Sequence, residues 1–137
     1  MTTSCKAVCI LVVEDNSGDV MLIQHCLSKH GVSARLHVSA DGEEALKRVE
    51  ELDRSKGPYP DLVILDLNLP KLPGTIVLNR IRQSSSWDDI PVVVLTSSNS
   101  PIDRDEAARL GANLYMNKPA RLDEYLKIGD RLKDFFA

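Results

Sequence analysis

The amino-acid sequence predicts an α/β domain, a doubly wound parallel sheet of order 2-1-3-4-5 with helices on both faces, making a three-layer sandwich. Two observations carry this. Apolar runs of strand length alternate five times with segments of helical period, the pattern of a parallel sheet whose crossovers are helices. The runs themselves, VCILVV at residues 8–13 and VVVL at 92–95, are continuous rather than alternating, as in strands buried on both faces. Right-handed crossovers then favour the flavodoxin-like (βα)5 arrangement.

Taken in order, Lys6–Val13 is the first strand. Asp19–His30 reads as a helix with Leu22, Ile23, Cys26 and Leu27 inward, stopped by Gly31. Ala34–Val38 is a short strand. Asp41 caps a helix over Glu43–Leu52, where Ala45, Leu46, Val49 and Leu52 share a face. RSKGPYP (residues 54–60) is a loop by its Gly and Pro content. Asp61–Asp66 is the third strand, and Thr75–Gln83 a helix carrying Ile76, Val77 and Ile81. After the loop SSSWDD, where Trp87 should cover the core edge, Pro91–Leu95 is the fourth strand. Ile102–Leu110 is a helix closed by Gly111, Asn113–Asn117 the fifth strand, and Arg121–Phe136 the last helix. In that helix Leu122, Tyr125, Ile128, Leu132 and Phe135 can face the core, while Gly129 weakens it.

The 137 residues suffice for one buried core without disulfides. A net charge of −3 gives no general attraction to nucleic acid or anionic membrane. The first apolar run, six residues long, is too short for a signal core or a membrane span, so a cytoplasmic location is expected. Cys5, Cys9 and Cys26 have no metal-ligand spacing and read as reduced thiols. His25, His30 and His37 also lack such spacing and read as surface or boundary residues.

In this fold ligands bind beyond the carboxyl ends of the strands. There the first strand ends in Glu14-Asp15, the third in Asp66 with Asn68 two residues on, the fourth in Thr96, and the fifth runs into Lys118. Three carboxylates brought together repel unless a cation sits among them, and Mg²⁺, which keeps several waters and binds phosphate oxygens, suits such a site. With Thr96 as hydrogen-bond donor and Lys118 as a point charge, one carboxylate becomes a nucleophile towards phosphorus. Singly, each residue has a plainer reading: a turn and cap at Glu14-Asp15, a polar strand end at Asp66, a turn hydroxyl at Thr96, an exposed lysine at Lys118. Their joint occurrence at the ends of different strands favours the site.

LVVEDN (11–16), DGEEAL (41–46), PDLVILDLNLP (60–70), IPVVVLTSS (90–98) and LGANLYMNKP (110–119) resemble, in that order, the response-regulator receiver domains of two-component signalling. The intervals fit as well, with thirty residues from Asp66 to Thr96 and twenty-two more to Lys118. EDN-S-GDV and LDLNLPK further resemble the stand-alone regulators that pair with bacterial phytochromes and related sensor kinases. The resemblance implies that Asp66 accepts a phosphoryl group from a phosphohistidine on a sensor histidine kinase. It implies Mg²⁺ held by Glu14, Asp15, Asp66 and the backbone carbonyl of Asn68, with Thr96 and Lys118 on the phosphoryl group. Tyr115 matches the switch aromatic whose inward turn follows that of the threonine, and the Lys118–Pro119 bond is expected to be cis. One departure is Pro73 before Gly74, where receivers often carry Asp, Asn or Ser. Its fixed φ and missing N–H should stiffen that loop.

Because the sequence stops after the last helix, one receiver domain over residues 1–137 with no output domain is expected, signalling to a downstream protein through contacts. Met21 and its neighbours on the first helix are expected to dock the kinase. Among receivers a homodimer through the fourth helix, fifth strand and fifth helix is common. Two other readings compete. A phosphohydrolase of the haloacid-dehalogenase type would share the aspartate, threonine, lysine and Mg²⁺, but it places DxD on its first strand, and Asn68 here replaces the second acid. An interaction module with a degenerate site would lack acceptor chemistry that this chain retains.

Overall fold

The computed structural model describes residues 7–136. The strands are β1 (Val8–Val13), β2 (Ala34–Ser39), β3 (Leu62–Leu65), β4 (Val92–Thr96) and β5 (Leu114–Asn117). They form one parallel sheet of order β2-β1-β3-β4-β5, as expected. The helices are α1 (Ser17–Lys29), α2 (Gly42–Ser55), α3 (Gly74–Arg82), α4 (Pro101–Arg109), α5 (Leu122–Leu126) and α6 (Ile128–Lys133).

Strand alternation divides the core in two. Leu11, Val13, Val63, Leu65, Val92 and Val94 pack against Ala45, Val49 and Leu52 of α2, Val77, Leu78 and Ile81 of α3, and Ala107 of α4. Ile10, Val12, Leu62, Ile64, Val93 and Leu95 pack against Ile23, Cys26 and Leu27 of α1 and Tyr125, Ile128 and Leu132 of α5 and α6. The central strands are therefore apolar on both faces, which is why they read as unbroken hydrophobic runs. Asn16 and Asp41 cap α1 and α2, accepting from the N–H groups of Asp19 at 3.1 Å and Glu44 at 2.8 Å.

Several details differ from expectation. The last helix is divided at Lys127, and a 3-10 turn follows over Asp134–Phe136. Leu122, at the start of α5, is 59% exposed rather than in the core, because it lies at the free end of a helix only five residues long. Ile76, named with Val77 and Ile81 on the third helix, is also exposed, and Leu78 takes the inward place on α3. Gly129 is a packing residue rather than a weak point, since a Cβ there would collide with the His30 ring and the Cys26 carbonyl. The His30 ring in turn lies 3.2 Å from Asp130 and 3.3 Å from the Leu126 carbonyl.

Trp87 is wholly buried, not at the core edge. Its Nε1 donates to Asp53 at 3.0 Å, its ring meets Tyr59 edge-on at 5.5 Å, and Arg80 pairs with Asp53 at 3.1 Å. Burial pushes the Asp53 carboxyl up, but hydrogen bonds from Trp87, Arg80, Ser84 and Tyr59 outweigh it and hold the group below its ordinary value. Cys9 is half-buried and Cys26 buried, both as free thiols, while Cys5 and Lys6 lie outside the described residues. Among the described residues no helix is long and apolar enough to cross a membrane.

Candidate functional site

The strand ends bring the expected residues together. Glu14, directly after β1, is 3% exposed, whereas Asp15 points to solvent. Asp66, directly after β3, is 4% exposed, and its N–H donates to the Val13 carbonyl at 3.0 Å, tying the ends of β1 and β3. One oxygen of Asp66, Oδ1, accepts from the Asn68 N–H at 3.0 Å and the Thr96 hydroxyl at 2.8 Å. The other, Oδ2, accepts from Lys118 Nζ at 2.8 Å. Thr96 ends β4 fully buried, and its carbonyl accepts from the Lys118 N–H at 2.8 Å, so β5 delivers the lysine beside the threonine.

That delivery does not need the expected cis bond. Among the described residues the cis peptide is Gly57–Pro58, and Lys118–Pro119 is trans. The trans form is the intrinsically favoured one, and the ammonium already reaches its partners with it.

Lys118 meets more acid than the sequence reading paired with it. Its Nζ lies 2.7 Å from Glu14 Oε2, 2.8 Å from Asp66 Oδ2 and 2.9 Å from Asp19 Oδ2. Burial alone would lower its pKa, but the bonds to Asp66, Glu14 and Asp19 reverse this and raise it, so the amine stays an ammonium. Glu14 shows the opposite balance. Burial raises its carboxyl from 4.5 to about 7, assisted by the neighbouring Asp66 charge and only partly opposed by Lys118. A carboxylate this costly to ionise is one that a further cation would stabilise.

Asp19 and Tyr125 are the members that sequence reasoning missed. Asp19 sits in the first turn of α1, and the Tyr125 hydroxyl donates to its Oδ1 at 3.3 Å. Burial, then the Asp19 charge, pushes the Tyr125 phenol up, keeping it a neutral donor. The local signal was present in EDNSGDV, but a carboxylate in a first turn also serves the helix dipole, and that role hides any other.

Tyr115 has a fixed partner here. Its hydroxyl donates to the Ser98 carbonyl at 3.0 Å, Asn117 Nδ2 donates to the same oxygen, and the Arg104 guanidinium stands 4.9 Å from the ring centroid. Ser98 in turn donates its N–H to Thr96 Oγ1 at 3.4 Å, so Ser98 joins tyrosine to threonine through its backbone.

Pro73 precedes α3 at φ −66° without a side-chain cap, and the Gly74 N–H bonds the Leu67 carbonyl at 2.9 Å. A Cβ at Gly74 would strike the Asp66 carbonyl oxygen and come within 2.8 Å of Leu67 Cα. Gly74→Ala is therefore expected to cost about 1–3 kcal/mol, as overpacking does, and to shift the Asp66 backbone. Thermal denaturation and the Asp66 amide resonance would record both effects.

One oxygen each from Glu14, Asp15 and Asp66 lie within 4.8 Å of one another. This all-oxygen donor set, with Asp15 on the solvent side, fits a hard divalent ion that retains waters.

The model of the response regulator receiver domain matches residues 10–128. The chain is 35% identical over 127 residues to the probable methanogenesis regulatory protein FilR2 of Methanothrix harundinacea, covering 93% of this chain and 82% of that one. It is 34% identical over 128 residues to response regulator Rcp1 of Synechocystis, covering 93% and 87%. The structure of the Mn(2+)-bound form of Rcp1 aligns at a TM-score of 0.80 with 33% identity, over 94% of each chain. The phosphorylated cyanobacterial phytochrome response regulator RcpA aligns at 0.85 with 34% identity, covering 95% of this chain and 94% of that one.

Proposed function

Since this chain belongs to the response regulator receiver domain family, we propose that Asp66 takes a phosphoryl group from the phosphohistidine of a sensor histidine kinase. The observation that carries the assignment is its setting: a nearly buried carboxylate with Thr96 on one oxygen, Lys118 on the other, and Glu14 and Asp15 alongside. An Asp66 oxygen forms the new O–P bond as the P–N bond to the donor imidazole breaks, and the imidazole nitrogen keeps that electron pair. Lys118 and the Thr96 hydroxyl neutralise charge on the transferred oxygens. Mg²⁺, held by Glu14, Asp15, Asp66 and the Asn68 carbonyl, would add a divalent charge on those same oxygens.

The kinase is proposed to be of the phytochrome-associated type, by likeness to the cyanobacterial phytochrome response regulator RcpA. Its docking face would be the open groove of about 830 Å³ formed by Val20, Met21 and Leu122, where Met21 is 72% exposed. Output would pass through protein contacts to a downstream partner, with self-association through α4, β5 and α5, and without multiple-turnover catalysis. Phosphotransfer from such a kinase supports a cytoplasmic location.

Incubation with acetyl phosphate and Mg²⁺ tests the reading. Intact mass should rise by one phosphoryl equivalent and no further, and a chelator should abolish the gain. Borohydride reduction of the acyl phosphate should convert residue 66 to homoserine. An unchanged mass with Mg²⁺ present, or label at another residue, would overturn the assignment. Steady release of inorganic phosphate from a phosphomonoester would point to a hydrolase instead.

A further inference from the structure

Lys118 has three ammonium hydrogens and three carboxylates around it, each from a different element. Glu14 follows β1, Asp66 follows β3, and Asp19 lies in α1. Two of the three, Glu14 and Asp66, also belong to the oxygen cluster suited to a cation. When a cation and a phosphoryl group claim those two, Asp19 is the carboxylate of the trio left to the lysine. It is itself restrained from both ends. Its backbone N–H is held by the Asn16 cap at 3.1 Å, and its Oδ1 by the Tyr125 hydroxyl at 3.3 Å. Tyr125, in α5, is 3% exposed, and its carbonyl accepts from Cys26 Sγ at 3.1 Å, so it is tied to α1 through its backbone as well as its hydroxyl.

We infer that Asp19, held in place by Tyr125, is a positioning residue that keeps the Lys118 ammonium aimed at the phosphoryl site once Glu14 and Asp66 are otherwise engaged. The inference rests on the reading of Asp66 as the acceptor. Asp19 touches neither donor nor acceptor and acts through the lysine. The chain Lys118–Asp19–Tyr125 also ties α5 to the site, crossing from the end of β5 through α1 without passing through Thr96 or Tyr115.

Two variants and two measurements test it. Asp19→Asn keeps the shape but weakens the charge-assisted bond, and Tyr125→Phe removes only the hydroxyl. The maximal rate of labelling by acetyl phosphate at saturating Mg²⁺ should fall about tenfold in Asp19→Asn and less in Tyr125→Phe, the size expected for one bond to a charged group. The second measurement needs no turnover. In ¹⁵N-labelled protein with Mg²⁺, the Lys118 ammonium should give a slowly exchanging resonance in the wild type, lost in Asp19→Asn and broadened in Tyr125→Phe. A general loss of packing would not single out that ammonium. If wild-type protein takes label and Asp19→Asn matches it in rate and resonance, this inference alone falls. If wild-type protein takes no label at all, the acceptor reading falls and the inference with it.

Discussion

An Asp66→Asn protein is expected to take up no phosphoryl group from acetyl phosphate and Mg²⁺, while the wild type takes up one. The amide has the size of the carboxylate, so Thr96 and Asn68 can still bond its oxygen as they do Asp66 Oδ1 at 2.8 and 3.0 Å. It lacks the charged oxygen needed to attack phosphorus and the charge that Lys118 meets at 2.8 Å. The variant should therefore fold, with a circular dichroism spectrum like that of the wild type, and should bind Mg²⁺ more weakly by isothermal titration. Label remaining on the variant would place the acceptor elsewhere, with Glu14 the first residue to examine.

Lys118→Met should have the largest effect on stability. Methionine fills the space but leaves Glu14 and Asp66, side chains 3% and 5% exposed, facing each other and Asp19 without the ammonium. Removing one partner from a buried ion cluster typically costs about 3–5 kcal/mol. The loss should depend on pH in a definite direction. Glu14 already holds its proton up to about 7 against an ordinary 4.5, so the folded protein binds more protons than the unfolded chain between those values. Its contribution to stability therefore declines as pH rises through that window. Without the lysine, the principal influence lowering the Glu14 carboxyl is gone, and the decline should extend to higher pH. Urea midpoints should then separate wild type from variant most at pH 8 without Mg²⁺, and least at pH 5 or with Mg²⁺ added. An equal separation under all conditions would mean that the lysine acts by packing alone.

The architecture was readable because the central strands bury both faces, so their boundaries appear as apolar runs that end where the chain turns polar. Those polar ends, Glu14, Asp15, Asp66, Thr96 and Lys118, became neighbours once the strand order was inferred. Asp19 and Tyr125 were not readable in this way. They meet across 106 residues through the packing of α1 on α5, and each also looked ordinary in its own helix. The division of the last helix at Lys127 was hidden for a related reason. Gly129 counted as a helix weakness in the sequence, whereas its missing Cβ makes room for His30 from another helix. Leu122 shows the limit of helical period near a helix end, where the layer beneath has run out.

The single tryptophan of the chain has a practical consequence. Trp87 precedes β4 and is wholly buried against Asp53 and Tyr59, whereas Thr96 closes that strand at the opposite end of the sheet. Its emission is a built-in gauge of whether the core is intact, read at the pole away from the carboxylates. Because the indole is hydrogen-bonded and sealed from water, opening the fold quenches or red-shifts it, and loading the far edge with ions leaves it undisturbed. The same molecule thus carries its own optical control: changes seen at the acidic edge with constant tryptophan emission are chemistry, and changes accompanied by quenching or a red shift are unfolding.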